Sequence, residues 1–497
     1  MQYANLRSKG FVLPNRLTAL YDGGSNSGSR TRNWNPSSLG PGAAAASQLP
    51  TIRRRARDAI RNDPWAKTAI NRLVSNAIGT GIQPHPQHAD KNVRVQLKKW
   101  WEEFVKDSDA DGMLDFYGQQ ALATRCLFGD GESYGRLRLR KPSDGLAVPL
   151  QLQLLESDHL PVEKNESLPG GAQVINGVEF DSVGRRVAYH MWRQHPTDYP
   201  RASNVAQSLT RIPADQIIPM FQVLRPGQVR GVSELATVLL RLKSLDNLDD
   251  AVLFRQEVAN LFAGFITRPE ATGVNLDPMT GLLPTMDGDG FTPLSALEPG
   301  TLQQLEPGEE ITFAEPPDAG NVYEGFMRHQ LMAAAASCGL PYELLTGDLR
   351  NIGDRALRVL INEFHRHIEQ IQWLTVIPQF CQRVWEAFID ALALSGVMPM
   401  PDYYRNRREY LRVRWVPQGW PYFHPVQDIA ASVAAINAGL SSRSGKVLAQ
   451  GDDPEKIDEE NAQDNERAKS LGLVYSTDTN QLLVEAADAE QQNNKGK

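Results

Sequence analysis

Apolar residues recur every three or four positions from Asp354 to Ser395. They are Leu357, Leu360, Ile361, Phe364, Ile368, Ile371, Leu374, Phe380, Cys381, Val384, Trp385, Phe388, Ile389 and Leu392. Steps of three and four place side chains on one stripe of an α-helix. Arg358, Glu363, Arg366, Glu369, Gln372, Gln379, Arg383 and Glu386 fall on the other faces. At about 1.5 Å rise per residue the element is roughly 60 Å long. Asp354 suits its start and Gly396 its end. Pro378 lies in the middle, removes one backbone donor and clashes with the preceding turn, so the pattern predicts a kink and not a stop.

The same periodicity marks helices over 52–78, 93–104, about 116–128, 231–266 with Ser233 as cap, and 323–338. The first of these ends at Gly79-Thr80-Gly81, and Pro84 and Pro86 keep the following chain out of helix. Residues 132–222 alternate apolar and polar side chains, as in ESYGRLRLRK and VINGVEFDSVGRRVAYHMWRQH, and read as one β-rich domain with a hairpin turning at Gly177 and Ser182-Val183-Gly184. Residues 343–353, ELLTGDLRNIG, read as an exposed loop leading into the long helix. A strand over 411–416 returns the chain to the β-rich region, and helices over 425–449 and about 454–470 follow.

The chain of 497 residues is 41% hydrophobic and 22% charged, ample for several domains. A net charge of −7 excludes a protein that binds polyanions by bulk charge. Cys126, Cys338 and Cys381 lie far apart in apolar or small-residue surroundings, as buried structural thiols of a reducing compartment do. No run approaches the roughly 18 apolar residues that span a bilayer, and the N-terminus has no secretory pattern, so cytosolic synthesis is expected. Charge is unevenly placed. Residues 1–72 hold twelve Lys/Arg against three acids, with Arg53, Arg54, Arg55 and Arg57 clustered, suiting either a solvated helix start or an arm that touches nucleic acid or an acidic partner. Between Pro269 and Gly320 there are ten acids and no Lys or Arg.

Candidate chemistry is sparse. Asp107–Gly112 begins like a calcium loop, but position twelve is Gly118 where a bidentate Glu is required, so a turn capping the next helix is the better account. His365 and His367 are two apart on a helix and point to different sides, unlike zinc ligands. Asp158-His159 and Asp130-Gly131-Glu132 have no second motif converging on them, which leaves structural roles. Arg405, Arg407, Arg408, Arg412 and Arg414 interleave with Tyr403, Tyr404 and Tyr410, a pattern open to nucleic acid or to a solvated strand edge. There is no phosphate-cradling Gly-x4-Gly-Lys-Ser/Thr loop and no Gly-x-Ser-x-Gly elbow.

Seven segments resemble, in order, the lambda-type portal proteins (head–tail connectors) of tailed bacteriophages: NRLVSNAIGTGIQP, DADGMLDFYG after the Trp-Trp helix, LQLLESDHL, NGVEFDSVGRRVAYHMWRQHP, LRPGQVRGVSELATVLLRLKSLDNLDDA, LEPGTLQQLEPGEEITFAEPP and CGLPYELLTGDL. They span roughly residues 50–475. After TGDL the family usually has Asn-Tyr-Ser-Ser, whereas this chain reads Asn351-Ile352-Gly353-Asp354-Arg355.

The resemblance implies an α+β portal fold assembled as a dodecameric ring at one capsid vertex. It maps 1–50 to a flexible arm, 51–230 to a wing of helices then strands, 231–266 to a stem helix and 267–320 to a small β clip. It maps 321–342 to a second stem helix, 343–353 to a tunnel loop and 354–396 to the long helix kinked at Pro378. A wing return strand (397–424), a helical crown (425–480) and a disordered tail (481–497) complete it. It implies Leu344, Thr346, Asp348, Arg350, Asn351 and Arg355 at the DNA channel, and Glu298, Glu306, Glu309, Glu310 and Glu315 at the docking surface of the clip. Implied partners are other copies of the chain, the terminase large subunit, major capsid and scaffold proteins, a head-completion adaptor and viral double-stranded DNA in transit, with no membrane, metal or cofactor. The expectation is a non-enzymatic conduit, made in the host bacterial cytoplasm and resident in the virion. The alternatives are a packaging-associated metal-dependent nuclease and a nucleic-acid-binding module.

Overall fold

The computed structural model describes residues 33–198, 208–261, 265–267, 310–312, 321–350, 352–422 and 424–473. Asp63-Pro64 divides the first predicted helix into Leu49–Asn62 and Pro64–Ala77. A residue before proline is pushed out of the helical region, and Asp63 is extended at φ −100° and ψ 120°. Its carboxylate then accepts from the amides of Trp65 at 2.7 Å and Ala66 at 3.0 Å, capping the second helix. The helices Lys91–Asp107 and Phe116–Asp130 are capped likewise by Asp90 and Asp115.

The acidic turn between them is a folded carboxylate turn. Asp109 accepts from the amides of Asp111, Met113 and Leu114 at 3.2, 2.9 and 3.0 Å and from Gln119 Nε2 at 2.9 Å. Those bonds use the oxygens a calcium ion would need; the segment is a turn, but the next helix is capped by Asp115 just beyond it, and Asp109 meets that helix through Gln119.

The β region forms two antiparallel sheets. A three-stranded sheet runs Leu150–Leu155, Glu132–Leu139, Ile217–Phe221, and a five-stranded meander runs from Glu166–Ser167 through Gln173–Ile175, Val178–Phe180 and Arg186–Trp192 to Leu209–Pro213. Asn176 and Gly177, with φ of 51° and 84°, make the hairpin turn whose two positive φ values suit the strand twist. Asp181 closes the next turn by accepting from the amides of Val183 and Arg185. The strand Val413–Val416 joins neither sheet. It pairs antiparallel with Gln83–Pro86, an isolated two-stranded ribbon where prolines lacking an N–H are tolerated.

The main core is packed between the N-terminal helices, the three-stranded sheet and the second half of the long helix. Trp101 is its centre, with ring centroids 5.0–5.3 Å from Phe104, Phe116, Trp385 and Phe388. Truncating a side chain such as Phe388 to Ala costs about 3–5 kcal/mol by loss of transfer energy and the cavity left behind. A smaller cluster, including Tyr134, Leu160, Tyr189, Met191 and Ile217, joins the two sheets.

The long element is unbroken from Asp354 to Ser395 but is α-helical only at its ends. Gln372–Cys381 is π-helical, with Pro378 inside it. The wider turn answers the missing proline donor and the ring's clash with the carbonyl four residues back. It also rotates the buried face. Leu374 is exposed although the periodicity placed it in the stripe, and Gln372 is buried, donating to the Ala77 carbonyl at 2.8 Å.

Before it, Ser233 caps a short 3-10 turn, Glu234–Thr237, and the helix Leu239–Leu261 follows. This helix lies antiparallel to Asn321–Ser337, tied by Thr237 to Ser337, by Arg241 to Gln330 at 2.6 Å and by the Tyr323 hydroxyl donating to Asp249. Beyond the pair, Phe265–Thr267 and Glu310–Thr312 form an antiparallel ladder that brings the ends of the acidic insert together.

Candidate functional site

The segment before the long helix is more ordered than its composition suggests. Its first part, Tyr342–Thr346, is a helical turn ended by Gly347 in the left-handed region at φ 74°. Leu345 is buried and Leu344 packs against the main core. The Thr346 hydroxyl donates to the Tyr342 carbonyl at 2.9 Å and accepts from the Asp348 amide. Asp348 and Arg350 form the tip. Arg350 Nε donates to Asp348 Oδ1 at 2.8 Å, Nη2 donates to Oδ2 at 3.1 Å, and the Arg350 amide donates to Oδ1 at 3.1 Å. These Arg350 bonds hold the Asp348 carboxyl well below the ordinary carboxylate range. Glu324 on the helix Asn321–Ser337 also reaches Arg350, at 2.8 Å. The Arg350 charge is therefore exposed but doubly countered. Arg355 is exposed on the first turn of the long helix. Asn351 lies outside the described residues, as do Glu298, Glu306, Glu309 and Glu315. Glu310 opposes Thr267 in the ladder at the base of the insert.

A second constellation lies where the sheets meet the helices, and no sequence spacing announced it. The Glu132 carboxylate is fully buried between two arginines. Arg53 Nη2 donates to it at 2.6 Å, Arg230 donates through Nη2 at 2.5 Å and Nε at 2.9 Å, and the Gly231 amide adds a bond at 2.9 Å. Arg230 Nη1 also donates to the carbonyls of Leu160 and Asn176 at 3.0 and 2.9 Å. One arginine thus joins both sheets to the segment that enters the helix Leu239–Leu261. Burial pushes the Glu132 carboxyl up, and the Arg230 and Arg53 charges more than reverse this, leaving it below 4.5. Beside it, Arg57 grips Asp130 through two bonds at 2.9 and 2.6 Å and reaches Asp158 and Glu156. The arginine cluster of this helix is thereby divided: Arg53 and Arg57 serve as structural counter-ions, while Arg54 and Arg55 are exposed on its solvated side. Asp130, Glu132 and Asp158 have the structural roles expected of them.

Among the described residues, Glu156, Asp158 and His195 are the one grouping with metal-ligand donors in reach of each other. Arg57 stands among them, 2.5 Å from Asp158 and 3.3 Å from Glu156, and supplies the positive charge a cation would bring. His365 stacks on Trp420 with centroids 3.7 Å apart. Arg407 of the tyrosine-rich segment is held bidentate by Asp390 at 2.8 Å, and the Tyr403 hydroxyl donates to the same carboxylate. That segment, Tyr403–Tyr410, is a short helix; Arg405 and Arg408 on it and Arg412 and Arg414 after it are exposed, and Arg407 is the member tied down.

The described chain is thus a sheet-bearing body, a helical pair with an acidic insert between its helices, and a long helix entered through a short clamped loop. The chain matches the family described as phage portal protein, lambda family, over residues 27–372, and it belongs to that family. It is 27% identical to the "Probable portal protein" of Halomonas phage phiHAP-1, over 85% of this chain and 81% of the relative. It is 20% identical to "Portal protein B" of Escherichia phage lambda, over 93% of each. Among solved structures it is similar to a chain in the neck of a native gene transfer agent (GTA) particle computed with C12 symmetry, at 16% identity and a TM-score of 0.45, covering 82% of this chain and 94% of that one.

Proposed function

We propose that this portal protein is the subunit of a closed ring at one capsid vertex, through which terminase packages viral double-stranded DNA and from which the genome later leaves. Membership of the lambda portal family over residues 27–372 carries the reading. The wing is then the body with its two sheets, the stem is the antiparallel pair Leu239–Leu261 and Asn321–Ser337, and the insert between them is the clip. The paired strands 265–267 and 310–312 would set the base of that clip, and its acids would meet terminase and later the adaptor. Helices after 425 form the crown.

Ring closure suits the surface. Leu253 and Phe254 on one stem helix, Phe326 on the other and Val359 on the long helix are exposed, more apolar surface than a solitary chain needs. A head-to-tail cyclic contact uses two different faces of each subunit and covers both. A conduit must let DNA slide, because neutralised phosphates bind with strong, salt-dependent affinity. The tunnel loop fits that demand, since Arg350 meets the duplex with its charge already shared by Asp348 and Glu324. Leu344 and Thr346 support the loop from inside, while Asn351 and Arg355 continue it toward the helix. The role is structural, with scaffold and capsid proteins around the ring and no cofactor.

The test pairs mass measurement and negative-stain imaging of the purified chain with a DNA-packaging assay on Asp348→Ala/Arg350→Ala particles. Rings with a central hole and packaging reduced in the variant are expected. Absence of rings under every salt condition refutes the conduit, and full packaging by the variant removes the loop from the channel.

A further inference from the structure

The C-terminal helix Pro454–Ser470 rests on the body through charge. Of its 17 residues only Ala468 is buried, and the helices Pro425–Asn437 and Arg443–Ala449 bury none. Lys91 lies 3.6 Å from Glu459, Arg94 lies 3.0 Å from Glu455, and Lys98 pairs with Asp453 and lies 3.9 Å from Glu455. The three cations stand at i, i+3 and i+7 of the helix Lys91–Asp107, on one face. A cleft of about 300 Å³ opens between the two helices, lined by Arg94, Lys98, Asp453 and Glu455, by His85 and Arg414 from the two-stranded ribbon and by His88 just beyond it; the Lys91–Glu459 pair continues the row next to it. His85 is 7% exposed, and its Nε2 is buried without a hydrogen-bond partner. Its Nδ1 lies 3.6 Å from Asp453.

A row of cations backed by an imidazole with a spare nitrogen is a donor set for phosphate oxygens. Lys91 to Lys98 cover roughly 10 Å of helix axis, the rise of about three successive phosphates along one DNA strand. In this chain carboxylates hold those places. Partly exposed ion pairs are individually weak and screened by salt, so a ligand presenting many phosphates at once competes with them. We propose that this cleft and the cation row running on from it to Lys91 are a binding site for the phosphodiester backbone of duplex DNA, and that Asp453 and Glu455 in the cleft and Glu459 beside it act as internal competitors. The site is closed while the C-terminal helix is docked, consistent with a protein that must not grip DNA in transit, and opens where duplex is concentrated against the helix. The assignment goes beyond the conduit reading and does not depend on ring closure.

The test is binding of a fluorescently labelled short duplex to the full chain, by anisotropy across a salt series. Asp453→Asn/Glu455→Gln/Glu459→Gln is expected to bind about tenfold tighter than the parent, with a log–log salt slope steeper by roughly three for the freed cations. Glu163→Gln/Glu363→Gln/Glu369→Gln changes net charge equally at exposed sites elsewhere and is expected to gain far less. Adding Lys91→Gln/Arg94→Gln/Lys98→Gln to the first variant is expected to erase the gain. Inorganic phosphate and poly-glutamate serve as competitors. The proposal is overturned if the gain is absent, if the control variant matches it, if it survives loss of the three cations, or if poly-glutamate binds as well as duplex. Ring mass on the same samples keeps failure of this site distinct from failure of the conduit.

Discussion

Replacing Glu132 by Gln removes one negative charge and little else. The amide keeps the shape and one acceptor, but it leaves the fully buried Arg230 and the nearly fully buried Arg53 without a counter-charge. Removing one partner of a buried ion pair costs about 3–5 kcal/mol, because the remaining charge stays desolvated. Against a typical domain stability of about 5–15 kcal/mol, that loss is large. Hydrogen exchange suits the measurement, since a chain of several structural units need not unfold in two states. Amides of the strand Glu132–Leu139 should lose protection in proportion, while those of the C-terminal helices should not change. Arg53→Met is the milder control, since Glu132 keeps Arg230 and the Gly231 amide. The pH dependence has a definite sign. Because the folded carboxyl sits below 4.5, its contribution is present above the unfolded pKa and is lost as pH falls through the folded one. The parent should therefore lose stability on acidification more steeply than Glu132→Gln. A loss below about 1 kcal/mol, or a variant with the same acid sensitivity as the parent, would show that the network is hydrated and the burial argument wrong.

Pro378→Ala restores a backbone donor and should return 372–381 toward α-helical register, drawing Gln372 away from the Ala77 carbonyl; a variant structure that keeps the π segment would show that packing and not proline sets it. Asp63→Ala removes the cap between the first two helices and should cost about 1 kcal/mol in thermal or chemical unfolding, an undetectable change ruling out the capping account. Replacing Glu298, Glu306, Glu309, Glu310 and Glu315 by Gln should weaken terminase or adaptor pull-down while leaving ring mass unchanged; dissolved rings would instead put the insert in the subunit contact.

Much of this chain was legible in its local chemistry. The helix start at Ser233 follows from a short side chain that satisfies a free amide two residues on, whereas the break at Asp63 inside the single helix expected over 52–78 did not show in the apolar period. The Asn176-Gly177 hairpin follows from the left-handed turn those residues accept, and the core stripe of the long helix from its period. Each depends on neighbours within a turn or two, so spacing alone expresses it. Tertiary structure decided the rest. Arg53, Glu132 and Arg230 meet across separations of 79 and 98 residues, and a charge reads as surface until its partner is known. Leu344 and Leu345 look like loop residues until the core receives them. The strand Val413–Val416 finds Gln83–Pro86 only because the long helix carries the chain back to the N-terminal helices. Pro378 signalled a disturbance in its helix, but the rotated face that buries Gln372 and exposes Leu374 depended on what lay opposite.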